Sequence, residues 1–258
     1  MKGTLIVIPA FNEARTIAAV VAGALAQDPD RVIVVDDGSS DDTVARVQAV
    51  TDSRLELICH PSNLGKGFAL ATGIARALQA GATRIITLDA DGQHGCSDIP
   101  RLEQAATLTP AALVIAARTH NREQAPPLRR FANETADFWI SWACGQRIED
   151  TQSGFRLYPA EVIAQLDLRP RPGQGFAAET ALLIDAVNAG AAVRCVPIET
   201  RYSADARPSH YRPWRDTWSI IRLVGSRLLR RGMYPSGLMR SLRDRARFSA
   251  RLPLGDSD

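Results

Sequence analysis

The sequence predicts an α/β fold, a mostly parallel sheet with helices on both faces, followed by a basic amphipathic helical segment. Three observations lead there. Short apolar runs rich in Val and Ile alternate with stretches of helical periodicity over residues 1–205. The spacing of the first four runs suits crossover units, because parallel neighbours need a dozen or so connecting residues whereas hairpins need only a few. Each of these runs ends in polar or acidic residues, so those ends share one edge of the sheet, where open α/β sheets bind ligands.

Thr4-Leu5-Ile6-Val7-Ile8, stopped by Pro9, reads as a central strand, with Pro9 to Glu13 as the loop after it. Asn12 is a good N-cap type, and Ala14 to Gln27 carries Ile17, Val20, Val21 and Leu25 on one helical face. Arg31 to Val35 is a second buried strand, running into the acidic turn Asp36 to Thr43 that opens the next helix. Leu55 to Cys59 is a third. Asn63-Leu64-Gly65-Lys66-Gly67 then precedes a helix from Phe68 to Ala80, capped by Gly81. The strand Ile85 to Leu88 ends in Asp89-Ala90-Asp91-Gly92-Gln93-His94. Ala111 to Ala117 is another strand, closed by Arg118, and the polar segment His120 to Arg130 with Pro126-Pro127 reads as a mobile loop. Phe131 to Cys144 and Phe176 to Ala189 read as helices, and Gly154 to Tyr158 and Ala192 to Ile198 as strands.

The fourth run carries the chemistry. In an extended segment residues i and i+2 project to the same side, so the carboxylates of Asp89 and Asp91 can address one object. With the amide of Gln93 they offer oxygen ligands suited to a hard cation such as Mg²⁺ or Mn²⁺, which would in turn carry a diphosphate. The bland alternative is a solvated Asp-Gly turn after a strand.

With 258 residues and a 45% hydrophobic share, the chain can bury a large core. No apolar run reaches the length of a membrane span, and the apolar part of the first residues is too short for a signal peptide. The cytosol is therefore the expected compartment. Cys59, Cys96, Cys144 and Cys195 lack metal-ligand spacing and read as reduced thiols. The net charge of +3 is unevenly spread: residues 201–251 hold 13 Arg against Asp205, Asp216 and Asp244, and the rest of the chain is net acidic. A basic tail points to an anionic surface, phospholipid or nucleic acid. On a helical wheel Trp214, Trp218, Ile221, Val224, Gly225, Leu228 and Leu229 share one side and Arg215, Ser219, Arg222, Ser226, Arg227 and Arg230 the other, with Ile220 and Leu223 as misfits. That pattern suits a helix in a membrane interface or one packed on its own domain. The Arg-rich remainder, Arg240 to Arg251, tips the reading toward lipid.

The segments Val7 to Glu13, Val34 to Ser39, Asn63 to Gly67 and Asp89 to His94 stand in the order seen in family 2 glycosyltransferases. The chain resembles most the dolichyl-phosphate mannose synthases and polyprenyl-phosphate sugar transferases, and Asp150 to Arg156 and Ser209 to Pro213 extend the likeness almost to the basic tail. The resemblance implies a Rossmann-like GT-A domain over residues 1–205 and a basic amphipathic segment over 206–258. It also implies a GDP- or UDP-linked nucleotide-sugar donor, a divalent metal and inversion at the anomeric carbon.

By the same resemblance, Pro9, Phe11, Glu13, Val35, Asp37, Asp89, Ala90 and Asp91 line the donor pocket, and Asp91 with Gln93 holds the Mg²⁺ or Mn²⁺. A lipid phosphate acceptor is already an anion, so the acceptor side needs cations rather than a strong base; Arg118, Arg129 or Arg130 and Arg212 are the candidates, with Ser153 as a further donor. A hydroxyl acceptor would need a base, and Asp150 is the choice for it. One departure is Gly95-Cys96, where close dolichyl-phosphate enzymes have Pro-Pro. Two other readings compete, a transferase acting on the hydroxyl of a glycan or lipid and a non-catalytic nucleotide-sugar-binding module. The favoured reading places the protein in the cytoplasm, peripheral at the cytoplasmic face of the inner membrane, with lipid rather than nucleic acid meeting the tail.

Overall fold

The structure, a computed structural model, describes residues 2–119, 127–169, 177–199 and 213–243. Its strands are β1 (Thr4–Ala10), β2 (Arg31–Asp36), β3 (Leu55–Cys59), β4 (Arg84–Thr87), β5 (Leu113–Ala117), β6 (Arg156–Pro159) and β7 (Val193–Pro197). Among the described residues these seven form one sheet in the order β3-β2-β1-β4-β6-β5-β7. All neighbours pair in parallel except β6, which runs against both β4 and β5. The mostly parallel α/β fold expected from the sequence is the one observed. The reversed β6 has a local cause. The chain before it stays at the edge where β4 and β5 end, with Asp150 bonded to Arg118, so β6 starts at that edge and runs away from it.

Side chains alternate between the two faces of the strands. Val7, Ile33, Ile85 and Ile115 face one core, and Ile8, Val34, Ile86 and Val114 face the other. Helices α1 (Ile17–Leu25), α2 (Thr43–Gln48) and α4 (Ile99–Leu108) and helices α3 (Lys66–Gln79), α5 (Pro127–Cys144), α6 (Ala160–Ile163) and α7 (Ala177–Asn188) complete the body of the fold. Val21 of α1 and Leu102 of α4 belong to one core, and Ile74 of α3, Ile140 of α5 and Leu183 of α7 to the other. Helix α3 lies close on the sheet because Gly73 leaves room for Val7, whose side chain a Cβ there would strike.

Two expectations from the sequence are revised. Asn12 does not cap α1: it adopts a left-handed φ of 55° and its Oδ1 accepts from the Ser40 amide, while the helix begins only at Ile17. A short polar side chain that tolerates left-handed backbone is used here to tie two loops together. The apolar face of α8 (Pro213–Arg230) is also turned from the expected one. Ile220, a misfit on the wheel, is buried with Val224 and Leu228, while Trp218, Ile221 and Leu229 are exposed. Helix α9 (Pro235–Arg243) follows and packs on α5. Among the described residues no helix is long and apolar enough to cross a membrane.

Candidate active site

The loops after β1, β2, β3 and β4 are laced together by side chain to backbone hydrogen bonds, which fixes their relative positions without regular structure. Asn12 N–H donates to Ser39 Oγ (2.9 Å), Glu13 N–H to Thr43 Oγ1 (2.8 Å) and Ala14 N–H to Asp41 Oδ2 (3.2 Å). Thr16 Oγ1 donates to the carbonyl of Ala90 (2.7 Å), joining the start of α1 to the acidic stretch after β4. A cleft of about 220 Å³ lies between these loops, lined by Asn12, Glu13, Thr16, Asp41, Asp42 and Asp91 among others. Pro9 and Val35 are buried side by side in register at the ends of β1 and β2 beneath it.

Asp37 is buried and its carboxylate serves the protein. It accepts from the amides of Leu64 (3.0 Å) and Gly65 (2.7 Å), and His60 Nδ1 lies 2.8 Å from Oδ1. This cradle shapes the turn that starts α3. Gly38, at φ 71°, is pressed against Ser62, whose carbonyl carbon a Cβ would meet at 2.5 Å. Asp36 is buried too: Oδ2 accepts from Ser39 N–H, while Oδ1 finds no hydrogen-bond partner among the described residues.

Asp89 and Asp91 are driven apart in character. Lys66, at the start of α3, places its Nζ 2.6 Å from Asp89 Oδ1 and 3.1 Å from Glu179 Oε2 of α7. Burial works against the Asp89 charge, but the ammonium of Lys66 outweighs it and holds the carboxyl below its ordinary range. Burial and then the charge of Asp89 push the Asp91 carboxyl up, although Oδ1 accepts from Gln93 N–H at 2.9 Å. On its far side Asp89 meets Gly154, where a Cβ would stand 2.6 Å from Oδ2. Glycine is therefore required at 154 if the carboxylate is to stay on Lys66.

Asp91 and Gln93 offer a cation hard oxygen ligands. Among the described residues no group of three His, Cys, Asp or Glu side chains could hold a metal alone, so these two would leave phosphate oxygens and water to complete an octahedron. The donor set fits Mg²⁺ or Mn²⁺, because the crowding that raises Asp91 is what an adjacent dication relieves.

On the other side of Asp89 stands Arg118, at the end of β5. Its Nε and Nη2 donate to the two oxygens of Asp150 at 2.7 Å each, and its backbone N–H donates to Oδ2 at 2.8 Å. Burial favours a neutral Asp150, but those bonds prevail and lower its carboxyl below the ordinary range. The loop is held from two directions. Asp137 of α5 accepts from the amides of Asp150 (3.3 Å) and Thr151 (2.8 Å). Arg156, fully buried, donates to the carbonyls of Thr151 (2.8 Å), Ser153 (2.7 Å) and Glu179 (2.9 Å) and to Tyr158 Oη (3.2 Å). Asp150 takes a left-handed φ of 51°, a strained position that this network maintains. Ser153 is fully buried, and its Oγ finds no partner among the described residues.

His94 lies between the two sides. It is buried and tilted against Phe155, with ring centroids 5.5 Å apart, and its Nδ1 is unpartnered among the described residues. Burial lowers its pKa, and its charge neighbours include Asp89, Arg118, Asp91 and Asp150.

The structure thus gathers Pro9, Phe11, Glu13, Val35, Asp37, Asp89, Ala90, Asp91 and Gln93 at one edge, with Arg118, Asp150 and Ser153 beside them. Arg130 instead lies exposed on α5, 3.9 Å from Glu134. Arg212 lies outside the described residues, as does the side chain of Arg129. Five contributors had no role in the sequence reading: Lys66, His94, Asp137, Arg156 and Glu179. Lys66, His94 and Arg156 stand inside motifs that the sequence displayed; Asp137 and Glu179 look like ordinary helical residues until the fold brings them in. The cysteines among the described residues are free, and burial pushes the thiols of Cys144 and Cys195 up to about 12, which makes them poor nucleophiles.

The family model for glycosyl transferase family 2 matches residues 5–162. The chain is 31% identical over 202 residues to polyprenol monophosphomannose synthase of Mycolicibacterium smegmatis, covering 76% of each chain. It is 28% identical over 218 residues to UDP-N-acetylglucosamine--dolichyl-phosphate N-acetylglucosaminyltransferase of Methanococcus voltae, covering 77% of this chain and 85% of that one. Its fold is similar to that of glucosyl-3-phosphoglycerate synthase from Mycobacterium tuberculosis in complex with Mn²⁺, UDP and phosphoglyceric acid, at 24% identity and a TM-score of 0.64, covering 90% of this chain and 79% of that one. The complex of that enzyme with Mg²⁺ and UDP gives 26% identity and a TM-score of 0.60, covering 88% and 78%.

Proposed function

We infer that this chain, which belongs to glycosyl transferase family 2, moves a hexose with inversion from a nucleoside-diphosphate sugar to a polyprenyl phosphate. The observation that carries the reading is the juxtaposition at Asp89: it has Asp91 two residues on and His94 Nε2 at 4.0 Å from Oδ2, and the Arg118–Asp150 pair is close enough to act on the charge of the same buried His94. An acidic donor side and a cationic acceptor side are what a transfer between two phosphorylated substrates requires. The named relatives act on polyprenol and dolichyl phosphates, which supports the same acceptor class.

The chain's own groups divide the work. The cleft between Glu13 and Asp91 receives the nucleoside diphosphate, and Glu13 offers acceptors to base N–H and ribose hydroxyls. A divalent cation held by Asp91 and Gln93 would neutralise charge on the leaving diphosphate. Lys66 keeps Asp89 ionised and fixed against Gly154. Arg118, oriented by Asp150, supplies the guanidinium charge for the acceptor phosphate. The acceptor phosphate attacks the anomeric carbon as an anion and needs no proton removed. Asp150 favours this acceptor over a hydroxyl: with its oxygens taken by Arg118 and its pKa lowered, it is a poor general base at neutral pH. Since a polyprenyl phosphate resides in a bilayer, the reaction is placed at a membrane surface, with the protein peripheral at its cytoplasmic face.

Incubation with Mn²⁺, radiolabelled GDP- or UDP-sugars and polyprenyl phosphate tests the reading. Label should pass to the lipid phase with one donor. Absence of lipid label with every donor, from protein whose melting temperature rises with a nucleoside diphosphate, overturns the acceptor assignment.

A further inference from the structure

We propose that the outward faces of α5, α8 and α9 form one docking surface for an anionic phospholipid bilayer, on which the helices lie without crossing it. The proposal deepens the lipid-acceptor reading and rests on it for its purpose, although the contact itself is measurable without substrate.

All three helices turn large apolar residues outward, and two of them do so in addition to a buried apolar face. In α9 the small residues Gly237 and Ser241 are buried, Gly237 against Tyr234, while Met239 (52% exposed) and Leu242 (58%) face outward. In α5, Ile140, Ala143 and Cys144 are buried in the core, yet Phe131 (68%), Phe138 and Trp139 are exposed on the other side. Helix α8 has an ordinary buried stripe of Ile220, Val224 and Leu228, yet it carries a second apolar ridge outward, Trp218 (62%), Ile221 and Leu229 (71%). Amphipathic helices in water turn their large apolar residues inward. In α9, small residues at the helix contact and large ones outside is the arrangement for apolar surroundings, and the Trp and Arg residues at the boundary suit a headgroup region.

These faces join into one surface. The Trp142 ring stacks on Trp139 at 5.2 Å, and its Nε1 donates to the carbonyl of Tyr234, in the turn between α8 and α9, at 3.1 Å. Arg231 donates to the carbonyl of Ala143 (3.3 Å) and lies 3.6 Å over the Tyr234 ring. Charge selects the occupant. Arg222, Arg230, Arg240 and Arg243 are exposed on α8 and α9 and Arg231 in the turn between them, and residues 218–243 include no Asp or Glu. Phosphatidyl headgroups supply the missing anions, whereas a second copy of the same surface would set guanidinium against guanidinium. The surface also reaches the site, since α5 presents Asp137 on its buried side to the Asp150 loop.

The test is flotation of the full chain with phosphatidylcholine vesicles and with vesicles containing roughly one third phosphatidylglycerol. Wild type should float with the anionic vesicles only, and raised salt should weaken but not abolish that binding. The triple variant Phe131→Ser/Leu229→Ser/Leu242→Ser changes side chains that are mostly exposed, so its melting temperature should match wild type while its vesicle partition falls about tenfold or more. The variant should still transfer sugar to a short-chain polyprenyl phosphate in detergent, where no bilayer is needed. Flotation without transfer would sink the acceptor reading and leave the surface standing. Three results would overturn the surface: no binding to anionic vesicles, equal binding by wild type and triple variant, or a stable dimer in light scattering that the triple variant dissolves.

Discussion

At the donor edge every polar group follows a strand end by a few residues: Glu13 after β1, Asp36 and Asp37 at the end of β2, Asp89 and Asp91 after β4. The acceptor-side loop is built otherwise. Asp137 in the middle of α5 holds the amides of Asp150 and Thr151, and Arg156 reaches back to Thr151 and Ser153 and forward to Glu179. Glu13 and Asp91, which line the donor cleft, are placed by strand ends and by loops that Ser39, Thr43, Thr16 and Asp37 tie together, so the fold does not depend on either of those two carboxylates. The acceptor loop is positioned by its polar groups themselves. Substitutions of Glu13 or Asp91 should therefore cost activity and leave stability intact, whereas those in the acceptor loop should cost both.

Asp91→Ala is the sharpest test of that division. Loss of charge stabilisation at the leaving diphosphate, worth several kcal/mol, should cut kcat on the order of a thousandfold. In metal-free protein the melting temperature should hold or rise slightly, because Asp91 is pushed up by burial and by Asp89 and its charge is unfavourable in the fold. Differential scanning fluorimetry with and without Mn²⁺ checks both halves. A large fall in melting temperature without metal would break the comparison.

Arg118→Lys should come next. A lysine cannot reproduce the paired bonds to Asp150 or the bidentate grip on phosphate, so kcat/KM for the acceptor should fall about a hundredfold. Arg118 is bonded to Asp150 and stands outside the lining of the donor cleft. Binding of the nucleoside diphosphate, read by calorimetry, should therefore stay within about twofold of wild type. Equal losses for donor and acceptor would merge the two sides into one.

Arg156→Met tests the buried network alone. It strands the buried carbonyls of Thr151, Ser153 and Glu179, at a cost of about 3 kcal/mol. For a chain of this size that corresponds to a fall in melting temperature of about 10 °C. A change below about 2 °C would show that the sheet, not Arg156, positions the loop.

The same difference governs what could be read without coordinates. Strand ends announce themselves, because a run such as Ile85 to Leu88 followed by Asp89 and Asp91 already places two carboxylates at an edge. Helix α4, with its interrupted apolar pattern after Pro100, and the reversed β6 carry no such signal, and their places depend on partners distant in sequence. Lys66 was visible in its motif but not its grip on Asp89 and Glu179, since 113 positions separate Lys66 from Glu179. The wheel on α8 found amphipathicity and missed its orientation, because periodicity alone does not say which of two adjacent apolar ridges meets the core. The basic residues Arg245, Arg247 and Arg251 lie outside the described residues, as do Ser209 to Arg212.

The mildest test is a titration of Asp150→Asn. Asparagine tolerates the left-handed backbone at 150 and keeps one acceptor for Arg118, so the variant removes the charge and little else. At neutral pH the loss should be about 2 kcal/mol, the scale of hydrogen bonds to a charged group. The folded pKa of Asp150 is depressed from the ordinary 3.8, so its carboxylate contributes stability that is fully present above the unfolded value and is lost as pH falls through the folded one. The melting temperatures of wild type and variant should stay apart from neutral pH down to about pH 5 and converge only below about pH 4. Convergence already near pH 6 would mean that burial, not Arg118, dominates Asp150. The residue would then be protonated often enough to act as a base near neutrality, and the hydroxyl acceptor would regain its standing.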